Sequence, residues 1–147
     1  MAILNEKKVK SKFVLLGGAG YVAPKHFKAM VENNGMLMAV CDRSDSIGTI
    51  DRYFPDALYF SEIERFERFI YRYSRENVEP INFLTVCTPN YLHDSHTRSG
   101  LRAGLDVICE KPVVVNPRNL EEIVREEERT GQAAYSILQL RLHPEVI

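Results

Sequence analysis

A short apolar run that ends in a glycine-rich turn, with a helical pattern directly behind it, constrains the fold of this chain more than any other feature. Lys12–Leu16 is apolar enough for a buried strand, and Gly17-Gly18-Ala19-Gly20 predicts the tight turn that ends it. Residues 21–33 then carry apolar side chains at helical spacing. A strand, a tight turn and a helix in this order begin a βαβ unit, which requires a parallel neighbouring strand.

The rest of the chain repeats this alternation of apolar strands and helices. Further strands are predicted over 36–41, 81–86, 106–110 and 134–138, and further helices over 46–53, 63–73, 93–103 and 117–130, the last with Asn116 as its N-cap. Strands that are apolar throughout indicate a parallel sheet covered on both faces. Right-handed crossovers then give an α/β fold with a doubly wound, Rossmann-type parallel sheet in three αβα layers.

The glycine turn fits the G-x-G-x-x-A pattern of a phosphate-binding loop. Gly18 allows the tight turn, Gly20 lets the backbone approach a pyrophosphate, and Ala23 permits close packing of helix on strand. The N-terminus of the following helix offers amide donors and a favourable dipole for phosphate. Because Gly17 precedes the pattern, the register of the turn stays open by one residue.

Asp42 follows the second predicted strand, at about the right distance to accept hydrogen bonds from a ribose diol. A carboxylate there repels a 2′-phosphate, so the pattern favours NAD over NADP. The neighbouring Arg43 allows another interpretation, because an arginine can stack on adenine or pair with that phosphate. Asp42 as a simple strand-end turn former is the structural alternative.

Two further strand ends carry candidate site residues. Thr88-Pro89-Asn90 follows the strand predicted over 81–86, where backbone and small polar groups would meet the nicotinamide ribose. The strand over 106–110 leads into Lys111-Pro112, which places the lysine ammonium at the carboxyl edge of the sheet. Oxidation of an alcohol requires a positioned group that handles the hydroxyl proton. Lys111 is therefore predicted to act on a substrate hydroxyl.

The remaining histidines and the cysteines are given structural interpretations. His93 and His96 lie three residues apart on a predicted helix, which is a spacing that metal ligands can have. The sequence shows no third ligand, and Asp94 is interpreted as an acid at the helix start. No metal site is therefore predicted. His26 is assigned to helix surface or packing. The chain has three cysteines, an odd number without zinc-finger spacing, which are interpreted as reduced core residues.

Composition excludes several classes of partner. The chain has 147 residues, 45% of them hydrophobic, and a net charge of -1, so it resembles one domain with a sizeable core and offers no electrostatic case for nucleic acid or an anionic membrane. No apolar run approaches the length of about 20 residues that spans a bilayer. The first residues lack the apolar stretch of a secretory signal. A cytoplasmic location is therefore expected.

Four motifs together resemble the Gfo/Idh/MocA oxidoreductase family: Gly18-x-Gly20-x-x-Ala23-x-x-His26, Thr88-Pro89-Asn90-x-x-His93, Glu110-Lys111-Pro112, and Gln139-x-Arg141-x-x-Pro144, where the family more often begins with Asn. The resemblance covers essentially the whole chain, as the family's N-terminal domain. It implies an NAD-binding Rossmann domain over residues 1–140. Residues 141–147 would then begin the connection to a substrate domain that is absent from this chain.

Within the family, the segments around Tyr21, Asp45, Tyr91 and Leu140 are most similar to dehydrogenases that oxidise the C3 hydroxyl of UDP-N-acetyl-glucosaminuronate with NAD, in the synthesis of bacterial surface polysaccharides such as the lipopolysaccharide O-antigen. This resemblance implies a UDP-sugar substrate and a homo-oligomeric full-length protein. It implies Lys111 as the catalytic residue. The cofactor-binding residues that it implies are Gly18, Gly20, Tyr21, Val22, Asp42, Arg43, Thr88, Pro89, Asn90, His93, Glu110 and Gln139.

Two alternatives stay open. The domain would fit equally well in an NAD-dependent dehydrogenase of another sugar or of inositol. It would also fit a nucleotide-binding module without chemistry, in which Lys111 only anchors an anion. Since the substrate half of the site is missing, this chain alone is expected to bind NAD without oxidising sugar.

Overall fold

In the computed structural model, which describes residues 10–46 and 48–142, six strands form one parallel sheet. The strands are β1 (Lys12–Leu16), β2 (Met36–Cys41), β3 (Leu58–Phe60), β4 (Phe83–Val86), β5 (Asp106–Cys109) and β6 (Ala134–Ser136). Their order across the sheet is β3-β2-β1-β4-β5-β6, and each neighbouring pair is parallel. This is the doubly wound order of Rossmann-type domains, which confirms the predicted fold.

Five α-helices cover the two faces of the sheet: α1 (Ala23–Glu32), α2 (Gly48–Tyr53), α3 (Ile63–Glu76), α4 (His93–Arg102) and α5 (Arg118–Thr130). Short 3-10 helices lie at Asn90–Leu92 and Gln139–Leu142. Alternate side chains of β1 enter two separate cores. Leu15 packs with Phe27 of α1, whereas Val14 packs with Phe66 of α3 and Leu101 of α4. The predicted three-layer arrangement is therefore confirmed.

The element boundaries differ from the prediction where the sequence signal is short. The strand β3 was not predicted, because three partly exposed residues give too little alternation to recognise. The predicted strand over 81–86 begins only at Phe83, since Asn82 uses its backbone N–H and its side chain on the backbone of Lys12. The last strand ends at Ser136. The helix α5 begins at Arg118, and the Asn116 carboxamide accepts from the Arg118 amide at 3.1 Å.

The three cysteines are buried and unpaired, in agreement with the prediction. Burial raises the pKa of the Cys41 and Cys109 thiols to about 11. Among the helices of residues 10–46 and 48–142, none has the length and apolar character needed to cross a membrane. The helix start predicted at residues 143–147 lies outside the described residues.

Candidate cofactor and catalytic site

The glycine turn between β1 and α1 is built to bring backbone close to a ligand. Gly17 carries the left-handed conformation, with φ of +89°, so the sharp turn falls one residue before the Gly18 that the motif suggested. A Cβ on Gly17 would lie 2.6 Å from the carbonyl carbon of Cys87, and one on Gly18 would overlap Val40. At Gly20 a Cβ would meet the Gly17 oxygen at 3.2 Å. Gly17 and Gly18 thus have no room for a side chain, and a side chain at Gly20 would require its neighbours to shift.

The N-terminus of α1 follows this turn and has no side-chain cap. Its first residues are Ala23, which is fully buried against the sheet, and Pro24, which has no amide hydrogen. The Ala23 amide donates to the Gly20 carbonyl oxygen at 3.2 Å, and the Lys25 amide donates to the Val22 carbonyl oxygen at 3.0 Å. The dipole of α1 nevertheless favours an anion such as phosphate at this end.

Asp42 connects the second strand to the glycine turn. Its Oδ2 accepts from the Ala19 amide at 2.9 Å, and its Oδ1 accepts from the Ser44 amide at 2.9 Å. Each carboxylate oxygen has a second lone pair, so Asp42 retains acceptors for a ribose diol. The side chain is thus both a strand-end turn former and a candidate ribose ligand, so the two interpretations of Asp42 are compatible.

Tyr59 of β3 fixes the segment that carries Asp42, and sequence reasoning missed it. Its hydroxyl lies 2.8 Å from the Asp42 carbonyl oxygen and 2.7 Å from the Ser44 carbonyl oxygen. Burial, and then the nearby Asp42 charge, raise the pKa of this hydroxyl, which keeps it a donor. The only sequence signal was an aromatic residue in the short apolar run 57–60, which is too short to identify a strand.

A cleft of about 760 Å³ opens at the carboxyl edge of the sheet, above β1, β2 and β4. Its walls bring together residues that lie far apart in the sequence, among them Gly17, Gly20, Asp42, Arg43, Thr88 and Pro89. Ile63, at the start of α3, forms an apolar wall that no motif had indicated. The cleft has the size and the mixed apolar and polar lining of a nucleotide site.

Thr88, after β4, is held by a histidine that the sequence analysis considered only as a metal ligand. The Thr88 hydroxyl lies 2.9 Å from His96 Nδ1. Burial lowers the pKa of His96, with the charges of Glu67 and His93 acting in opposite directions. A neutral His96 imidazole suits a hydrogen bond with a hydroxyl, which can donate or accept. No group of three or more metal-type ligands occurs in the part of the chain that the structure describes.

His93, the first residue of α4, is 1% exposed and uses both ring nitrogens within the protein. Its Nε2 lies 2.7 Å from the Thr88 carbonyl oxygen, and its Nδ1 lies 2.7 Å from the Pro112 carbonyl oxygen. A contribution of His93 to cofactor binding therefore has to pass through the backbone of these two segments.

Lys111 follows β5 at the same edge of the sheet and is exposed. The Lys111-Pro112 peptide bond is cis. The preceding Glu110 is buried and accepts from His26 of α1, whose Nε2 lies 2.8 Å from Glu110 Oε1. Among the described residues, none forms a hydrogen bond or ion pair with the Lys111 ammonium, whereas its two neighbours are anchored to different helices.

The other predicted residues surround the cleft without all lining it. Tyr21 is 88% exposed beside the glycine turn, with the Lys25 ammonium 5.7 Å from its ring centroid, and Val22 packs partly into the α1 core. Arg43 is an exposed wall residue. Asn90 begins a 3-10 helix after Thr88, and Gln139 begins the other one after β6. Glu110, Lys111 and Gln139 lie outside the cleft walls but follow strands of the same edge.

Solved structures of known proteins are similar to this chain in fold and sequence. The WlbA (WbpB) dehydrogenase from Thermus thermophilus in complex with NAD and UDP-GlcNAcA has a TM-score of 0.87 and 40% sequence identity, over 91% of this chain and 43% of that chain. The same dehydrogenase in complex with NAD and alpha-ketoglutarate has a TM-score of 0.88 and 39% identity, over 92% of this chain and 43% of that chain.

A curated sequence relative is also a sugar enzyme. D-glucoside 3-dehydrogenase from Escherichia coli (strain K12) is 30% identical over 122 residues, which are 81% of this chain and 32% of that protein. The chain therefore spans about a third of this relative and less than half of the similar solved structures.

One family covers most of the sequence. Residues 12–137 match the oxidoreductase family with an NAD-binding Rossmann fold. The close-packed glycine turn, the dipole of α1 and the remaining acceptors of Asp42 fit NAD as the cofactor. This chain belongs to the Gfo/Idh/MocA oxidoreductase family, as its NAD-binding domain.

Proposed function

We propose that this chain is the cofactor domain of a dehydrogenase that oxidises the C3 hydroxyl of a UDP-sugar acid such as UDP-N-acetyl-glucosaminuronate to a 3-keto sugar. The observation that carries this proposal is the 40% identity, over 91% of the chain, to a dehydrogenase whose structure contains both NAD and UDP-GlcNAcA. That similarity is greater than the 30% identity to the D-glucoside enzyme.

The cofactor half of the reaction is assigned to the cleft. The glycine turn and the N-terminus of α1 would bind the pyrophosphate, and Asp42 would accept from the adenosine ribose. Thr88, Pro89 and Asn90 would border the nicotinamide ribose, beside the junction of β1 and β4 where the strand order reverses. NAD, when bound, supplies the acceptor for the hydride that leaves the sugar carbon.

Lys111 is assigned the catalytic role. Its ammonium is exposed at the carboxyl edge of β5, with the residues on both sides of it anchored. In this position it would donate a hydrogen bond to the substrate hydroxyl, orient it, and stabilise negative charge on the oxygen as the proton leaves. The group that receives the proton would belong to a substrate domain beyond residues 141–147.

The location and assembly of the full-length protein and its alternative activities are part of the same proposal. We infer a cytoplasmic, homo-oligomeric enzyme of surface-polysaccharide synthesis from the family resemblance, and the complex of the Thermus dehydrogenase with the nucleotide sugar UDP-GlcNAcA supports this context. A second candidate, oxidation of a glucoside at C3, is favoured by the Escherichia coli relative. A module that binds the nucleotide without chemistry is the third candidate, and it predicts no role for Lys111 beyond anion binding.

One experiment separates the three candidates. A protein that continues this chain into its substrate domain is assayed for NADH formation with UDP-GlcNAcA and with a glucoside, and NAD affinity is measured by calorimetry. We expect turnover with UDP-GlcNAcA, and in Lys111→Ala a loss of turnover of at least about a hundredfold with NAD affinity retained. Turnover of the glucoside alone would favour the second candidate, and NAD binding without any turnover would favour the third. The exposed Lys28→Ala variant on α1 is the matched control.

A further inference from the structure

His93 is buried between two backbone carbonyl oxygens. The imidazole is 1% exposed, and each of its nitrogens lies 2.7 Å from a backbone carbonyl oxygen. A carbonyl oxygen only accepts hydrogen bonds, so each nitrogen must donate. Neutral imidazole carries one N–H and one lone pair, and it can satisfy only one of these carbonyls.

A neutral ring would be costly in this place. One of the two carbonyl oxygens, that of Thr88 or that of Pro112, would face a nitrogen lone pair at 2.7 Å and would lose its partner in a buried environment. Both distances lie within the range for N–H···O hydrogen bonds. A ring that donates from both nitrogens would satisfy both carbonyl oxygens.

The carboxylates on the segments next to His93 already have other partners. On its own helix, Asp94 is paired with Arg98 and also accepts from Asn119 of α5, while His96 contacts the Thr88 hydroxyl. On the segment after β5, Glu110 is paired with His26, and Lys111 is exposed. The ionisable groups at the neighbouring strand ends are Cys87 and Cys109, and Tyr91 lies in the adjoining 3-10 helix. Among the described residues, no carboxylate forms an ion pair with His93, so the two carbonyl dipoles are its direct partners.

We propose that His93 is a positioning residue: as a buried imidazolium it ties the cofactor-side segment at Thr88 to the segment that carries Lys111, and so sets the distance between them. This inference rests on the proposed function only for the role of Lys111. Thr88 lines the cleft, and Pro112 directly follows the lysine. One ring therefore bridges the loops that follow the neighbouring strands β4 and β5.

The first test reads the ring directly. In the chain labelled with ¹⁵N at histidine, NMR at neutral pH should show two nitrogens of one imidazole that each carry a slowly exchanging proton, and His93→Phe should remove this pair of signals. A spectrum in which His93 has one proton-bearing and one bare nitrogen would overturn the proposal. Neither outcome depends on NAD or on a sugar, so a failure of the proposed function is distinguishable.

The second test reads the positioning. His93→Phe keeps a ring of similar size without donors, and Ser95→Ala is the matched control because it removes a side-chain bond to the Leu92 carbonyl oxygen on the exposed side of the same helix. Amide hydrogen exchange in residues 88–92 and 111–115 should become at least about tenfold faster in His93→Phe and stay unchanged in Ser95→Ala. If His93→Phe does not fold, His93→Gln, which keeps donors, is compared in its place. Unchanged exchange in both segments would overturn the proposal.

Discussion

The imidazole Nε2 of His26 lies 2.8 Å from Oε1 of Glu110, and the two side chains are 11% and 9% exposed. This contact joins α1, the helix that follows the glycine turn, to the residue directly before Lys111. The cofactor half and the proposed catalytic half of the site are therefore in direct side-chain contact beneath the surface. His26, which the sequence placed at helix surface or packing, has a specific partner.

Loss of this contact should destabilise the domain. His26→Ala leaves the Glu110 carboxylate buried without its partner, so we expect the free energy of unfolding to fall by about 2–4 kcal/mol. Urea denaturation measures the change. The exposed pair of Lys28 and Glu32 on the same helix provides a control, because Lys28→Ala should cost less than about 0.5 kcal/mol. Adding Glu110→Gln to His26→Ala should recover part of the loss, and a further loss would contradict the explanation.

Asp42→Asn should weaken NAD binding and reduce the preference for NAD over NADP. The carboxamide keeps one acceptor, but its NH₂ group must face the amide of Ala19 or of Ser44, and the negative charge is gone. We expect NAD affinity to fall at least about tenfold, and NADP affinity to fall less. Calorimetric titration with both nucleotides measures this. Asp45→Asn, in the same exposed segment, is the control, and an equal effect there would argue against a specific role for Asp42.

Gly17 and Gly104 separate steric overlap from backbone conformation. Both have positive φ, of +89° and +80°, but a Cβ on Gly104 meets nothing within 4 Å, whereas one on Gly17 meets the backbone of Cys87 at 2.6 Å. We expect Gly104→Ala to cost about 1–2 kcal/mol of stability, from conformation alone. Gly17→Ala should cost at least about 2 kcal/mol more, from overlap with backbone that cannot move aside. Equal costs in urea denaturation would show that the turn relaxes.

Acid should destabilise the domain through His96. Burial lowers the pKa of His96 in the folded chain. Below about pH 6.5 the unfolded chain therefore binds a proton at this residue that the folded chain does not bind. The free energy of unfolding therefore falls as the pH decreases through this value. His96→Asn removes the titration. The difference in the free energy of unfolding between wild type and His96→Asn should become smaller as the pH falls from about 8 to about 5, because the other groups titrate alike in both proteins. A difference independent of pH would contradict this prediction.

Local sequence patterns correctly predicted the strands whose ends are marked by residues next to them in the sequence. The strands β1 and β2 have the predicted bounds, because continuous apolar runs end there in Gly17 and in Asp42. The cleft was predicted in outline, since parallel strands bring Asp42 and Thr88 to one edge. The position of the left-handed turn was not fixed, because only the contact of Gly17 with Cys87 decides between adjacent glycines.

Long-range partners were not predictable from one sequence. His26 and Glu110 are 84 residues apart, and their contact depends on where the assembled sheet places the segment after β5 relative to α1. The support of the Asp42 segment by Tyr59 depends on β3, whose three residues carry no periodic signal. In both cases the side chain is ordinary in its local sequence, and its role appears only once the sheet is assembled.

The strand order also sets the distance between Asp42 and Lys111. Asp42 follows β2 and Lys111 follows β5, and the order β2-β1-β4-β5 separates them by three strand spacings, about 14 Å at about 4.8 Å each. A ligand that contacts both side chains has to span about this distance. The spacing of the hydrogen-bonded strands thus sets the length that a ligand needs to contact both residues, whatever its chemistry.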